Sequence, residues 1–155
     1  MSTASTPRQP RLIIYTDGAA RGNPGLAGAG AHLEDETGKT VATVARFIGE
    51  ATNNVAEYTA LLIGLERARE LGARHVEVRA DSELMVKQMR GEYRVRNAGL
   101  KPLFERARAL ASHFAGVTYV HVRRELNQAA DRLANHAIDR RQDPASEAPP
   151  GTSRN

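Results

Sequence analysis

The sequence predicts an α/β fold: a five-stranded mixed sheet, opening as an antiparallel meander, continuing with parallel crossovers and flanked by helices. Three observations carry this. The 155 residues are enough for one domain with a real core. Three strand-patterned segments separated by turn residues come first, which is how a meander reads. Helical and strand patterns then alternate, as they do where parallel strands are joined by crossover helices.

Leu12 to Thr16 is an apolar run and the first strand. Ala27 to Glu34 and Lys39 to Ile48 are the next two, joined by the turn signal Asp35-Glu-Thr-Gly38. Asn53 to Leu71 is a helix, with Leu61, Leu62, Leu65 and Ala68 near period 3.6 and Gly72 as its stop. His75 to Ala80 alternates Val76, Val78 and Ala80 against Glu77 and Arg79, so it is a strand. Asp81-Ser82 can cap the short helix Glu83 to Arg90. Ala98 to Phe114 repeats apolar residues at steps of three and four and predicts a longer helix. Val117 to Val122 is the last strand, and Asn127 can cap a final helix running to Arg140. The polar segments 1–10 and 141–155 are expected as disordered tails around a folded domain of residues 11–140.

Composition narrows the chemistry. There is no cysteine, which removes disulfides, thiolate metal sites and a Cys nucleophile. The five histidines include no pair at helical i, i+4 ligand spacing, which argues against a zinc hydrolase. The net charge of +4 is a mild invitation to nucleic acid, and seven basic residues fall between Lys87 and Arg108 against Glu92 and Glu105. A solvated helix face explains such a run equally well. The N-terminal MSTASTPRQPR has no apolar core of a secretory signal, so a cytoplasmic protein with no membrane partner is expected.

The acids are informative by position. Asp17 sits at the end of the first strand and Asp81 at the end of the fourth. Ligands of open α/β sheets bind outside such carboxyl ends. Glu57 and Asp131 fall in the first turns of the two long helices, where the helix dipole favours a carboxylate. Capping and dipole complementation explain each acid singly. Four at one end of a sheet, with no cysteine, describe a site for hard divalent cations such as Mg²⁺. Two such ions can activate water and stabilise a leaving oxygen in phosphodiester hydrolysis. Without cations the four charges would repel, so the metal-free site should be destabilising.

Four stretches, YTDGAARGNPG, TNNVAEYTALLIGLERA, RADSELMVKQ and RELNQAADRLANHAID, resemble the signature blocks of type 1 ribonuclease H, in order and with one acid each. The resemblance spans about residues 11 to 140. It implies the ribonuclease H-like fold, dependence on Mg²⁺ or Mn²⁺, and endonucleolytic cleavage of the RNA strand of RNA–DNA hybrids, leaving 5′-phosphate and 3′-hydroxyl ends. By motif, Asp17, Glu57, Asp81 and Asp131 match the catalytic, metal-binding carboxylates. Gly18, Asn53 and Asn54 resemble residues that meet the hybrid minor groove, where 2′-hydroxyls distinguish RNA from DNA. Asn23 and Thr52 resemble a grip on a DNA-strand phosphate, although Asn23-Pro24-Gly25 also reads as a plain turn and Thr52 as a helix cap.

Three departures from the family pattern stand out. The segment Val122-Arg-Arg-Glu-Leu-Asn127 is short and lacks the loop histidine of many bacterial members; it looks like the arginine-bearing subgroup, with Arg124 as the candidate. His121 falls within the strand pattern and reads as structural. The Trp-containing basic protrusion is absent, leaving Arg94 and Arg96 to take up part of its contact. Glu83 stands where some members place a Gln against a base edge. The expected partner is an RNA–DNA hybrid, with duplex RNA an alternative substrate, and a monomer is expected. A non-catalytic binding domain on this fold fits less well, because holding phosphate requires no cluster of negative charge.

Overall fold

The structure, a computed structural model, describes residues 11–142. The expected tails lie outside the described residues, apart from residues 141 and 142. Ten elements follow in order: β1 (Arg11–Gly22), β2 (Gly25–Glu34), β3 (Thr40–Ala51), α1 (Asn53–Glu70), β4 (His75–Ala80), α2 (Glu83–Met89), α3 (Lys101–Ala111), β5 (Gly116–His121), a 3₁₀ turn (Arg124–Leu126) and α4 (Gln128–Gln142). The sheet order is β3-β2-β1-β4-β5. Strand β1 is central, antiparallel to β2 and parallel to β4, and β5 continues the parallel half. This is the mixed sheet that the sequence predicts.

Two boundaries differ informatively. Strand β1 does not stop at Thr16. Its parallel pairing with β4 ends at Thr16↔Ala80, but its antiparallel pairing with β2 continues through Gly22↔Gly25. Asp17 is therefore inside the strand, one residue past the parallel ladder. The second case is α3, expected from Ala98 to Phe114 and found over Lys101–Ala111. Asn97 Oδ1 accepts the N–H groups of Gly99 and Leu100, forming a turn ahead of a helix with Pro102 in its first turn. Leu100 and Phe114 keep the apolar period because both are buried from the flanking turns. At the other end of the chain, α4 runs two residues past the expected Arg140.

Side-chain alternation assigns the two sheet faces. Leu12, Ile14 and Thr16 of β1 and Ala27, Ala29, Ala31 and Leu33 of β2 are fully buried. On this face lies α1, whose Gly64 sits against Ile14, Thr16 and Ala31. Helix α1 is buried far beyond its Leu stripe, with Ala56, Tyr58, Ala60 and Ile63 also enclosed, because α3 packs on its outer side. Each fully buried Leu or Ile here stabilises the fold by roughly 1.5–3 kcal/mol before entropy is counted. The opposite face takes α4, whose backbone lies close over Gly28 and Gly30 of β2. Among the described residues, no helix is long and apolar enough to cross a membrane.

Candidate functional site

The carboxyl ends of the parallel ladder bring the predicted acids together. Asp17 follows the last β1–β4 pair, and Asp81 follows the last residue of β4. Glu57 comes from the second turn of α1, which starts where Thr52 caps it: the Thr52 hydroxyl accepts the Val55 N–H at 3.2 Å. Asn23 fixes the same terminus, its Oδ1 accepting the Asn53 N–H at 3.1 Å. Carboxylate oxygens of Asp17, Glu57 and Asp81 lie within 4.8 Å of one another, close enough to share a metal ion. Asp131, on the first turn of α4, stands outside that trio, and its carboxylate acts on the Asp17 carboxyl. Asn135, one turn later, orients it: Asn135 Nδ2 donates to Asp131 Oδ1 at 3.2 Å and to its carbonyl at 3.0 Å.

The electrostatics are those of a cluster of buried acids. Burial pushes the Asp17 carboxyl far above the ordinary carboxylate range, and the charges of Glu57, Asp81 and Asp131 push it further. Glu57 is also raised, first by burial and next by Asp81, while the Gly18 N–H and the Arg124 guanidinium pull it down. That N–H donates to Glu57 Oε1 at 3.2 Å. Both pKa values lie above the unfolded-state value of about 4, so the folded protein holds these protons more tightly than the unfolded chain. Their stabilising contribution is complete below that value and is lost as pH rises through the folded-state pKa values. Metal-free protein is thus expected to melt higher at about pH 5 than at about pH 8 on account of this pair. Saturating Mg²⁺ should remove the difference. Thermal melts of wild type and Asp17→Asn, each with EDTA or Mg²⁺, check this; an equal pH effect in both proteins would rule out the cluster as its source.

The remaining predicted residues surround this centre in different ways. Gly18 is buried in β1, and the space its side chain would take is filled by the Ala56 backbone, so helix packing demands this glycine. Asn53 and Asn54 are exposed at the start of α1. Thr52 and Asn23 hold that helix terminus, which is their structural role whatever else they bind. Arg124 is exposed on the 3₁₀ turn, near enough for its charge to act on Glu57. Glu83 is exposed at the start of α2 and paired with Lys87 at 3.0 Å. Lys87 in turn lies over the Tyr93 ring. Arg94 and Arg96 point outward on either side of the buried Val95. His121 is the last residue of β5, within the strand as its pattern suggests, and is exposed.

Sequence reasoning missed two residues. Asn135 has as its only signal the i, i+4 relation to Asp131. Asn127 was read as a helix cap, yet it is 1% exposed, its Oδ1 accepts no hydrogen bond, and its Nδ2 donates to the Thr16 carbonyl.

Known proteins resemble this chain over the same region. The family model described as reverse transcriptase-like matches residues 15–137. A bifunctional protein of Mycobacterium tuberculosis is 47% identical over 130 residues, which are 83% of this chain but 36% of that protein. The chain thus spans about a third of the length of its mycobacterial relatives. The crystal structure of RNase H1 from Halobacterium salinarum is 43% identical with a TM-score of 0.81, covering 83% of this chain and 98% of that one. LC11-RNase H1, solved in complex with an RNA/DNA hybrid, is 45% identical with a TM-score of 0.82, covering 85% and 99%. On the strength of this sheet, these four blocks and these relatives, the chain belongs to the type 1 ribonuclease H family.

Proposed function

We propose that this chain is an endoribonuclease that hydrolyses the RNA strand of RNA–DNA hybrids with two divalent cations, leaving 5′-phosphate and 3′-hydroxyl ends. The observation that carries the reading is the trio Asp17, Glu57 and Asp81 within 4.8 Å, with Asp131 alongside. Such a donor set fits the group. It is all oxygen, as Mg²⁺ and Mn²⁺ prefer, and burial together with the neighbouring acids raises Asp17 and Glu57. Asp17, Glu57, Asp81 and Asp131 would hold the ions. When bound, the cations would supply the Lewis acidity and the lowered pKa of water that phosphodiester hydrolysis needs.

The chain's own residues select and place the substrate. Asn53 and Asn54 present exposed amides beside the acids, suited to hydroxyl and base-edge contacts in a wide, shallow minor groove. Asn23 uses Oδ1 on the Asn53 N–H, so its amide N–H groups are the part available to a DNA-strand phosphate; Thr52 lies next to it. Arg124 is a basic group whose charge acts on Glu57, and it would hold a backbone phosphate against the otherwise anionic centre. Arg94 and Arg96 extend the positive surface. Glu83, charge-compensated by Lys87, offers an acceptor to an amino group of a base. We take the protein to act as a monomer.

The test is cleavage of labelled RNA–DNA hybrid, duplex RNA and duplex DNA, each with Mg²⁺, Mn²⁺ or EDTA, with the product ends identified. Cleavage confined to the RNA strand of the hybrid, and abolished by EDTA, is expected. Failure to cut the hybrid with either metal would sink the reading, and equal cutting of duplex RNA would replace it with a broader nuclease.

A further inference from the structure

Asn127 lies between the 3₁₀ turn and α4, and its hydrogen bonding is unusual for a helix start. A capping Asn accepts a backbone N–H of the first turn through its side-chain oxygen. Here no protein group donates to Oδ1, although it is buried. Instead Nδ2 donates 2.9 Å to the carbonyl of Thr16, 111 positions earlier. An amide oxygen facing that carbonyl could make no hydrogen bond, so this is the only productive orientation of the side chain. Burying a polar side chain with its acceptor unsatisfied is costly, and an apolar residue would avoid that cost. What the donor does therefore explains the amide.

Thr16 is the last β1 residue paired with β4 and immediately precedes Asp17. The other side of Asn127 leads to Asp131, whose N–H donates to the Asn127 carbonyl at 3.1 Å. The side chain of this buried residue thus holds the peptide before Asp17, while its carbonyl makes the first main-chain bond of the helix that carries Asp131. The approach of α4 to the sheet is independently tight: a Cβ on Gly30, the β2 partner of Asp17, would stand 2.4 Å from the Ala130 carbonyl oxygen. Packing fixes the height of α4 over the sheet, and the Asn127 amide fixes where along β1 its first turn begins.

We propose that Asn127 is a positioning residue that sets Asp131 against Asp17, and thereby the cation affinity of the site. This rests on the reading of the site as a divalent-cation centre. Residues that orient metal ligands typically change metal affinity or activity by about 10–100-fold when removed.

The experiment measures Mn²⁺ binding by calorimetry without nucleic acid, together with kcat and KM on an RNA–DNA hybrid. It compares wild type, Asn127→Ala, Asn127→Ser, Asp131→Asn and the double variant. Asn127→Ala should lower Mn²⁺ affinity and kcat by about 10–100-fold and leave KM within about threefold. In the Asp131→Asn background the same substitution should cost less than about twofold further, because the group it positions is already changed. If Asn127→Ala does not fold, Asn127→Ser, too short to reach the Thr16 carbonyl, carries the same comparison. Unchanged Mn²⁺ affinity and kcat in a folded variant overturn the proposal. So does a loss of equal size in the Asp131→Asn background, which would mark a purely structural residue. A wild type that neither binds Mn²⁺ nor cuts the hybrid fails earlier, at the divalent-cation reading itself, and the proposal falls with it.

Discussion

Asp17→Asn is expected to reduce hybrid cleavage on the order of a thousandfold or more, the scale reached when one member of a catalytic unit is removed. The same change should raise the thermal stability of the metal-free protein. Asp17 is the acid on which the cluster converges: Glu57, Asp81 and Asp131 all act on it, and it is 5% exposed. Asparagine keeps the shape and is neutral without taking up a proton, whereas burial and the neighbouring acids oblige the folded metal-free protein to protonate Asp17 at a pH where the unfolded chain would not. A net gain of about 1 kcal/mol, roughly 4 °C in Tm, is a conservative expectation. In saturating Mg²⁺ the order should invert, because only the wild type has the full ligand set to gain from binding. Cleavage assays and melts on one pair of proteins read both effects. Activity within about tenfold of wild type would remove Asp17 from the reacting centre. A lower metal-free Tm would show that the contacts of the carboxyl outweigh the cost of protonating it.

Both effects trace to a position whose geometry the sequence locates only in part. The pattern that defines β1 is its apolar run, and that run ends at Thr16. What keeps the strand going to Gly22 is backbone pairing with β2 in a hairpin closed at Gly22↔Gly25, a ladder rich in glycines and alanines that carries no hydrophobic alternation. Strand β4, whose alternation is unbroken, is found over the same six residues that the pattern marks. Helix α3 fails in the opposite sense, since Leu100 and Phe114 continue the helical period from turns outside the helix. The four acids were legible because strand ends and helix starts can be read locally, and their convergence follows from the sheet order. Residues whose role lies in one distant partner were not. Nothing near Asn127 indicates that its amide reaches Thr16, and nothing near Asn23 indicates that its oxygen holds Asn53. The sequence suggests cap and turn for these positions, and only the fold supplies the far end of each bond.

Gly18→Ala is the substitution expected to damage the fold most for the smallest change in atoms. A Cβ built on Gly18 would stand 2.2 Å from the Ala56 carbonyl carbon, and 2.4 Å from both the Ala56 oxygen and the Glu57 nitrogen. These are backbone atoms in the opening turns of α1, and no rotamer change can move them aside. The helix must shift away from β1, against the packing of Leu61, Leu65 and Gly64 on the sheet. Overpacking of a dense interior costs roughly 1–3 kcal/mol where side chains can adjust, and more is expected where only backbone can. The shift also lengthens the Gly18 N–H to Glu57 Oε1 contact and draws Glu57 out of the 4.8 Å trio. Stability and cleavage should therefore fall together, with a Tm loss of at least about 10 °C and a cleavage loss of at least about tenfold in whatever protein remains folded. Gly38→Ala separates this steric effect from glycine's conformational freedom. Gly38 has φ +89° with nothing within 4 Å, so alanine there costs about 1–2 kcal/mol of backbone strain and leaves cleavage unchanged. Should Gly18→Ala prove no more harmful than Gly38→Ala in melting and in cleavage, the close seat of α1 on β1 would not be what places Glu57 beside Asp17.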